Sequence, residues 1–491
     1  MKRNFFYFIS SFLLTLIFRI PYIFPYFSNV DEPEYALVAY KISKGRQIYR
    51  EIFENKGFGL GYIYYFFLKI FKENYLLAVH LFYLFILFVN TFLIFKIVEK
   101  YSNKKASFFS LIFYPVLSTL FYPVDVHKGP EFIIVFLVLL SWFLILFSQN
   151  YFSIFLSSIL VGLSLFLKQF GILLIFSFVF LVFLKTKNLT KTIVGFVFCF
   201  IPFISFLAYL FQKNIIYEWI EWNIKYPLFL TSSVNVIKKI YFIFPMITRI
   251  YFLNPFLLIF GINFFRNKNE KVKDLLILLF ITFLWGAIHG LPFPHHYVPF
   301  LTLSIIVGII GYGNFISKQE KTKILNILIF FSILQSVFYW HGLDYYKRWI
   351  CFIKNREWKK EFEIQKYSEI IDYIEKNTKK DDKIIVWGFN PKIYLLSNRE
   401  PGTRFIILDP VIGENFVHPP SIHQYQPALN IFLQELEIYN IRLFIDATDN
   451  SLINMSFYKI EKYPKIKKYL DKRFTFDREI DNFKIYKRKN D

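Results

Sequence analysis

The sequence predicts a polytopic α-helical membrane protein with about eleven membrane helices, amphipathic external helices and a small soluble α/β domain at its C-terminal end. Three observations predict it. Of 491 residues, 55% are apolar and 22% aromatic, and mean hydropathy is positive at +0.40. The apolar residues gather into runs of bilayer-spanning length, and the basic residues sit in short clusters between them. From about residue 344 the composition turns to mixed charged and apolar, which divides the chain into a membrane domain, 1–343, and a soluble domain, 344–491.

The apolar runs fall at roughly 4–27, 76–97, 106–122, 130–148, 152–167, 170–184, 191–212, 241–264, 274–290, 296–316 and 324–340. The first has the basic start of a signal peptide but no small-x-small cleavage site and runs straight into Asp31, so a retained membrane helix is expected. With the N-terminus in the cytoplasm, the strongly basic loops all lie inside: Lys100, Lys104 and Lys105; Lys185, Lys187 and Lys191; Arg266, Lys268, Lys271 and Lys273; Lys318, Lys321 and Lys323. The external side of the cytoplasmic (inner) membrane then receives 28–75, the Asp125–Glu131 loop, Lys168-Gln169, 213–240, His289–His296 and the soluble domain. The excess of 58 Lys and Arg over 36 Asp and Glu thus reads as topology, and no nucleic-acid partner is expected. Cys199 and Cys351 cannot form a disulfide framework.

In the first external segment, 28–75, Tyr35, Val38, Ile42 and Ile48 with Tyr49 recur near helical spacing among Lys41, Lys44 and Arg46, the pattern of a helix lying along the membrane surface. Trp219, Trp222 and Tyr226 suggest a second interfacial element in 213–240. In the soluble domain a helix is expected over Lys359–Lys376, strands over Lys383–Trp387, Arg404–Leu408 and Arg442–Ala447, and a hairpin over Phe474–Tyr486 turning at Asp481-Asn482.

The stretch Asp31-Glu-Pro-Glu-Tyr-Ala36 places two adjacent carboxylates, Asp31 and Glu32, where the first run leaves the membrane. Asp31 with Glu34 also fits a capping box, with Pro33 in the first turn. The readings are compatible, because a helix N-terminus favours the ionised carboxylate that a proton acceptor needs. The loop Asp125-Val-His127-Lys128-Gly-Pro-Glu131 is a second acidic element, read either as a solvated hairpin or as a group that binds an acceptor or pairs with Lys128 or Lys168. Asp, His and Glu in one loop could ligate a divalent metal, but no tight ligand spacing supports it, and no metal or cofactor is expected. His295-His296-Tyr297 follows Pro292 and Pro294 at a helix start, where the positive dipole end suits an anion and interfacial histidines are equally at home.

With outward acidic motifs, a long first external segment and a terminal α/β domain, the chain resembles the GT-C superfamily of integral membrane glycosyltransferases. Within it, the protein mannosyltransferase and aminoarabinose transferase group, which takes sugars from polyprenyl phosphates, is most similar. The resemblance rests on Asp31-Glu32 with Glu34-Tyr35-Ala36, Gly45–Tyr49 leading to Asn55-Lys56-Gly57, Asp125–Glu131, His295-His296-Tyr297, and Val386-Trp387-Gly388 to Arg404-Phe405. It implies a polyprenyl-phosphate-linked sugar as donor, Asp31 as the catalytic carboxylate with Glu32 beside it, and Lys56 as the basic residue that holds the donor phosphate. Arg19 and Arg249, costly charges near span ends unless they snorkel or find a partner, and Lys168, which interrupts otherwise apolar sequence, are further phosphate candidates. A polyprenyl phosphate is a good leaving group, so one carboxylate as base suffices and basic side chains replace the acid. The rival reading is a transporter or flippase of lipid-linked glycans, but such proteins place ionisable groups at the midplane, and most span middles here are free of charge.

Overall fold

The computed structural model describes residues 2–24, 26–27, 30–120, 129–232, 236–252, 255–265, 273–288, 294–316, 349–350, 352–354, 360–413 and 422–489. The chain forms two compact units, each assembled from three stretches: 1–24, 79–212 and 235–355 in the first; 25–78, 213–234 and 356–491 in the second. The C-terminal stretch is thus joined in its unit by 25–78 and by 213–234.

Helices dominate to Ile316: α1 (Lys2–Ile23), α2 (Glu32–Ser43), α3 (Gly59–Phe71), α4 (Tyr75–Tyr101), α5 (Lys104–Leu120), α6 (Pro130–Phe147), α7 (Tyr151–Gly162) and α8 (Ser164–Leu167). These are followed by α9 (Gly171–Thr186), α10 (Leu189–Gln212), α11 (Ile216–Ile220), α12 (Tyr226–Ser232), α13 (Val236–Phe252), α14 (Pro255–Phe265), α15 (Lys273–Ile288) and α16 (Val298–Ile316). Among the described residues, five helical stretches are long and apolar enough to cross a membrane: Phe6–Ile23, Gly59–Tyr101, Pro130–Phe147, Leu189–Gln212 and His295–Phe315. Tyr151–Leu167, Gly171–Thr186 and Asp274–Ile288 are apolar but shorter. The run expected over 241–264 is two helices, with Pro255 opening the second as a residue that cannot continue a helix from within. The run at 324–340 lies outside the described residues.

In the first unit α16 is the central helix, packed against α5, α6, α14 and α15. Its span window is 89% buried, whereas that of α10 is 28% buried and so belongs to the rim. Polar side chains link the apolar helices: Ser141 on α6 and Ser157 on α7 each donate to the other's backbone carbonyl, at 3.0 and 3.2 Å.

The second unit is built on a five-stranded mixed sheet in the order β2-β1-β3-β5-β4, from β1 (Lys383–Trp387), β2 (Glu400–Pro401), β3 (Ile441–Asp446), β4 (Phe474–Ile480) and β5 (Phe483–Arg488). β1 runs parallel to β2 and β3, and β5 is antiparallel to β3 and β4. The hairpin turns at Asp481 and Asn482, whose φ angles of 47° and 62° are those of the two-residue turn that matches strand twist. The helix expected over Lys359–Lys376 is present as Lys360–Lys366 and Ser368–Asn377.

Three local expectations are corrected here. Arg404–Leu408 is not a strand: the edge strand is the two-residue β2, and the apolar run beyond it is buried as irregular chain, with Phe405 against Phe53, Trp222 and Phe432. Periodicity cannot separate a short buried run from a strand. The apolar stripe of α2 does not lie along a membrane surface, because Leu37 and Val38 sit in one core with Ile370, Ile374, Ile384, Val386 and Ile445, flanked by Tyr40 and Ile42. Of the aromatic residues named in 213–240, Trp222 and Tyr226 are likewise protein core, Trp222 donating through Nε1 to Tyr49 O at 3.0 Å and both packing on the Phe53 ring, whereas Trp219 is half-buried. Both segments carry the amphipathic pattern that a membrane interface would also select.

Candidate active site

The second unit gathers the Asp31 motif and the Lys56 loop into one charged cluster. Asp31 stands at the N-cap of α2, its backbone carbonyl accepting from Glu34 N at 3.0 Å. The capping box does not form: Asp31 has helical backbone angles and its side chain makes no cap. The Glu34 carboxylate turns instead to Lys56, whose Nζ lies 3.2 and 3.3 Å from its two oxygens and 3.2 Å from the Tyr35 hydroxyl. That ammonium also sits 4.6 Å over the Tyr35 ring, and its side chain is 26% exposed.

The loop holding Lys56 is fixed from several sides. Phe53 N donates to Arg404 O at 2.8 Å, Asn223 Nδ2 donates to Glu54 O at 3.1 Å, and Lys56 N donates to Glu54 Oε1 at 2.8 Å. Asn223 comes from the π-turn Glu221–Lys225 between α11 and α12. α3 can lie close on α2 because a Cβ at Gly61 would fall 2.6 Å from Val38 Cγ1. That approach lets Tyr64 donate to Glu32 Oε1 at 3.2 Å, in a site where Glu32 is fully buried.

Carboxylates outnumber cations in this cluster, and their protonation shows it. Burial, reinforced by Glu34, pushes the Glu54 carboxyl up to about 7. Asp409, which closes the cluster from beyond β2, is also pushed up to about 7 by burial and by Glu34, against the pull of Lys56. Glu34 is raised by burial, with Lys56 opposing. Burial alone would depress the Lys56 ammonium, but Glu34, Tyr35, Asp31 and Glu54 outweigh it and hold its pKa well above the usual lysine value. Asp31 differs from the others: it is partly exposed, and its carboxylate has no hydrogen bond or ion pair among the described residues.

The first unit holds a second constellation. Glu131, in the first turn of α6, is ion-paired with Lys168, which sits between α8 and α9, and His295 Nε2 is 4.0 Å from the same Glu131 oxygen. Of the two partners expected for Glu131, Lys168 is the one found; Asp125, His127 and Lys128 lie outside the described residues. One ligand atom each from Glu131, His295 and His296 lies within 4.8 Å of the others, the reach of a small cation. The oxygen they would share already faces the Lys168 ammonium, so a cation would compete with a fixed positive charge. Sequence spacing could not show this trio, because its members come from residues 131 and 295–296. Tyr297 follows them, buried at the start of α16. Arg19 is buried on α1, with Cζ 5.9 Å from the Phe132 ring, and its Nε and one terminal nitrogen have no hydrogen-bond partner among the described residues. It borders a cavity of about 20 Å³ with His80 and Tyr83, room for a single water. Arg249 lies on α13, and nothing further is described of its side chain.

Sequence reasoning missed Glu54 and Asp409. Glu54 stands two residues before Lys56 and could have been suspected from that spacing, whereas Asp409 is brought in by the fold and left no local signal.

No family model and no curated protein matches the sequence. Solved structures do match its fold. ArnT from Cupriavidus metallidurans in the apo state superposes with a TM-score of 0.61 at 10% identity, covering 98% of this chain and 96% of that one. The same enzyme bound to undecaprenyl phosphate gives 0.58 at 10% identity over 98% and 97%. The Archaeoglobus fulgidus oligosaccharyltransferase AglB, in complex with an inhibitory peptide and a dolichol-phosphate, gives 0.52 at 10% identity over 94% and 72%. The fold of this chain is therefore that of ArnT and AglB, as the sequence resemblance implied, and it carries apolar helices long enough to cross a membrane.

Proposed function

We propose that the protein is a membrane glycosyltransferase that moves a sugar from a polyprenyl-phosphate donor to an extracytoplasmic hydroxyl acceptor, with inversion at the anomeric carbon. The observation that carries the reading is the cluster around Lys56: a carboxylate, Asp31, that is partly exposed and has no hydrogen bond or ion pair among the described residues, beside an ammonium that Glu34, Tyr35, Asp31 and Glu54 keep charged. Two proteins of this fold, at 10% identity, have been solved with undecaprenyl phosphate and with dolichol-phosphate, which supports the donor class.

In the proposed step Asp31 takes the acceptor proton, the acceptor oxygen bonds to the anomeric carbon, and the carbon–oxygen bond to phosphate breaks. Polyprenyl phosphate leaves with the electron pair, its charge met by Lys56. No carboxylic acid is required at the leaving group, which suits a cluster in which Glu34 is already tied to Lys56. Glu32 supports α2 and α3 through Tyr64 and so orients Asp31. Arg19, whose guanidinium keeps unused donors, is the second candidate for the donor phosphate; Lys168 is committed to Glu131 and serves the fold there. His295, His296 and Tyr297 order the start of α16 near that pair. The acceptor is a lipid, protein or glycan hydroxyl, reached from outside the inner membrane.

The test separates transfer from transport. Purified protein in liposomes is supplied with a polyprenyl-phosphate sugar and acceptor-containing membrane extract, and free polyprenyl phosphate is followed by mass spectrometry. Acceptor-dependent release of polyprenyl phosphate is expected. Movement of intact donor across the bilayer without cleavage would establish the flippase reading instead.

A further inference from the structure

The second unit contains a polar cavity of about 160 Å³ that the chemistry above does not use. It lies at the start of β1, where the C-terminal turn of α2 and the 46–51 turn meet the chain around β2. Seven residues separate Glu34 from Lys41 on α2, roughly 10 Å of helix rise, so the cavity is distinct from the Asp31 cluster. Five cations line it, Lys41, Arg46, Arg50, Lys383 and Arg404, against three acids, Glu51, Glu400 and Glu435.

The acids are committed. Glu400 and Glu51 both take Arg46, and Glu435 takes Arg404 Nε at 2.7 Å and Arg404 N at 2.8 Å. Several donors are not. The Lys41 ammonium is 4% exposed as a residue and reaches only backbone carbonyls, Glu51 O at 2.8 Å and Thr403 O at 3.5 Å. Lys383 lies 3.6 Å over the Tyr439 ring and has no ion pair among the described residues. Arg404 reaches Glu435 through Nε and its backbone N, its terminal amino groups make no hydrogen bond among the described residues, and Thr403 Oγ1, buried in the lining, has no hydrogen-bond partner among them either. A buried ammonium that makes no ion pair among the described residues and a buried hydroxyl with no hydrogen-bond partner there are costly unless something in the cavity meets them.

We propose that this cavity binds a small tetrahedral oxyanion, inorganic phosphate or the phosphate group of a small ester, through Lys41, Lys383, Arg404 and Thr403. The size fits: a cavity of roughly 150 Å³ holds about six heavy atoms, room for a phosphate group. Burial draws Lys41 down to about 8, with Glu400 and Glu435 opposing and Lys383 and Arg46 reinforcing, so a bound anion would restore the charge that burial disfavours.

The test uses the full-length protein in detergent, with thermal unfolding followed against inorganic phosphate and against chloride at equal ionic strength. Phosphate is expected to raise Tm beyond chloride, and Lys41→Met to weaken its apparent affinity about tenfold or more, as loss of one charge-assisted contact does. Thr403→Val, which removes only a hydroxyl, should weaken it less and serves if Lys41→Met folds poorly. Lys56→Ala should leave the phosphate response unchanged, which separates this cavity from any phosphate held beside Asp31. Repeating the titration in nanodiscs with and without phosphatidic acid tells a lipid headgroup, which would lower phosphate affinity, from a solute, which would not; either supports the site. No phosphate-specific shift in the wild type, or equal shifts in wild type and both cavity variants, overturns it.

Discussion

The cluster around Lys56 and the cluster around Glu131 use the same residue types in opposite proportions. In the first, Asp31, Glu34, Glu54 and Asp409 act on one ammonium, and two of the carboxyls are driven up to about 7. In the second, one carboxylate faces one ammonium and a nearby imidazole, and the pair is buried, Glu131 to 1% and Lys168 to 7%. The matched set holds helices together, whereas the unmatched set keeps a charge imbalance that only a ligand or a proton can relieve. Perturbed, crowded carboxylates beside a partly exposed, unpaired one are a pattern found where chemistry is done.

The contrast can be broken at several points. Glu131→Gln removes the carboxylate that faces the buried Lys168 ammonium and is expected to destabilise the protein by about 3–5 kcal/mol, read as a fall in Tm. The double variant Glu131→Gln, Lys168→Met should regain most of that loss. If the single variant is as stable as the wild type, the pair is not a structural pin. Lys56→Ala removes the cation on which the unmatched cluster acts, and the donor KM is expected to rise about tenfold to a hundredfold, a loss of about 1.4–2.8 kcal/mol of donor binding. Equal effects on donor and acceptor titrations would deny Lys56 the phosphate.

Glu54 gives a smaller effect with a definite sign. Its folded pKa is about 7 against an ordinary 4.5, so the folded chain binds more protons than the unfolded chain between those values. The wild type therefore loses stability as pH rises through that window. Glu54→Gln lacks this loss, and its stability relative to the wild type should improve by about 1–3 kcal/mol between pH 5 and pH 8. A difference that is flat across that range would mean the carboxyl is not held protonated.

What the sequence disclosed follows physical lines. The helical spacing of Tyr35, Val38 and Ile42 announced α2, and Asp481-Asn482 announced the hairpin, because both signals are local. The covering of α2 was not legible: periodicity shows that a face is apolar but not whether sheet or lipid meets it. Glu34 at capping-box spacing was ambiguous for a related reason, since its real partner, Lys56, is placed by a loop that Trp222, Asn223 and Phe405 hold. Asp31 and Lys56 were visible as residues of a motif, while Asp409 reaches their cluster only through the fold.

The measurement closest to the central claim is sugar transfer by Asp31→Asn in reconstituted membranes, with abundance and Tm determined on the same preparation. Loss of turnover by about 10²–10⁴, the usual contribution of a positioned base, with folding unchanged, is the expected result. Turnover near the wild-type rate in a folded Asp31→Asn protein would contradict Asp31 as the base.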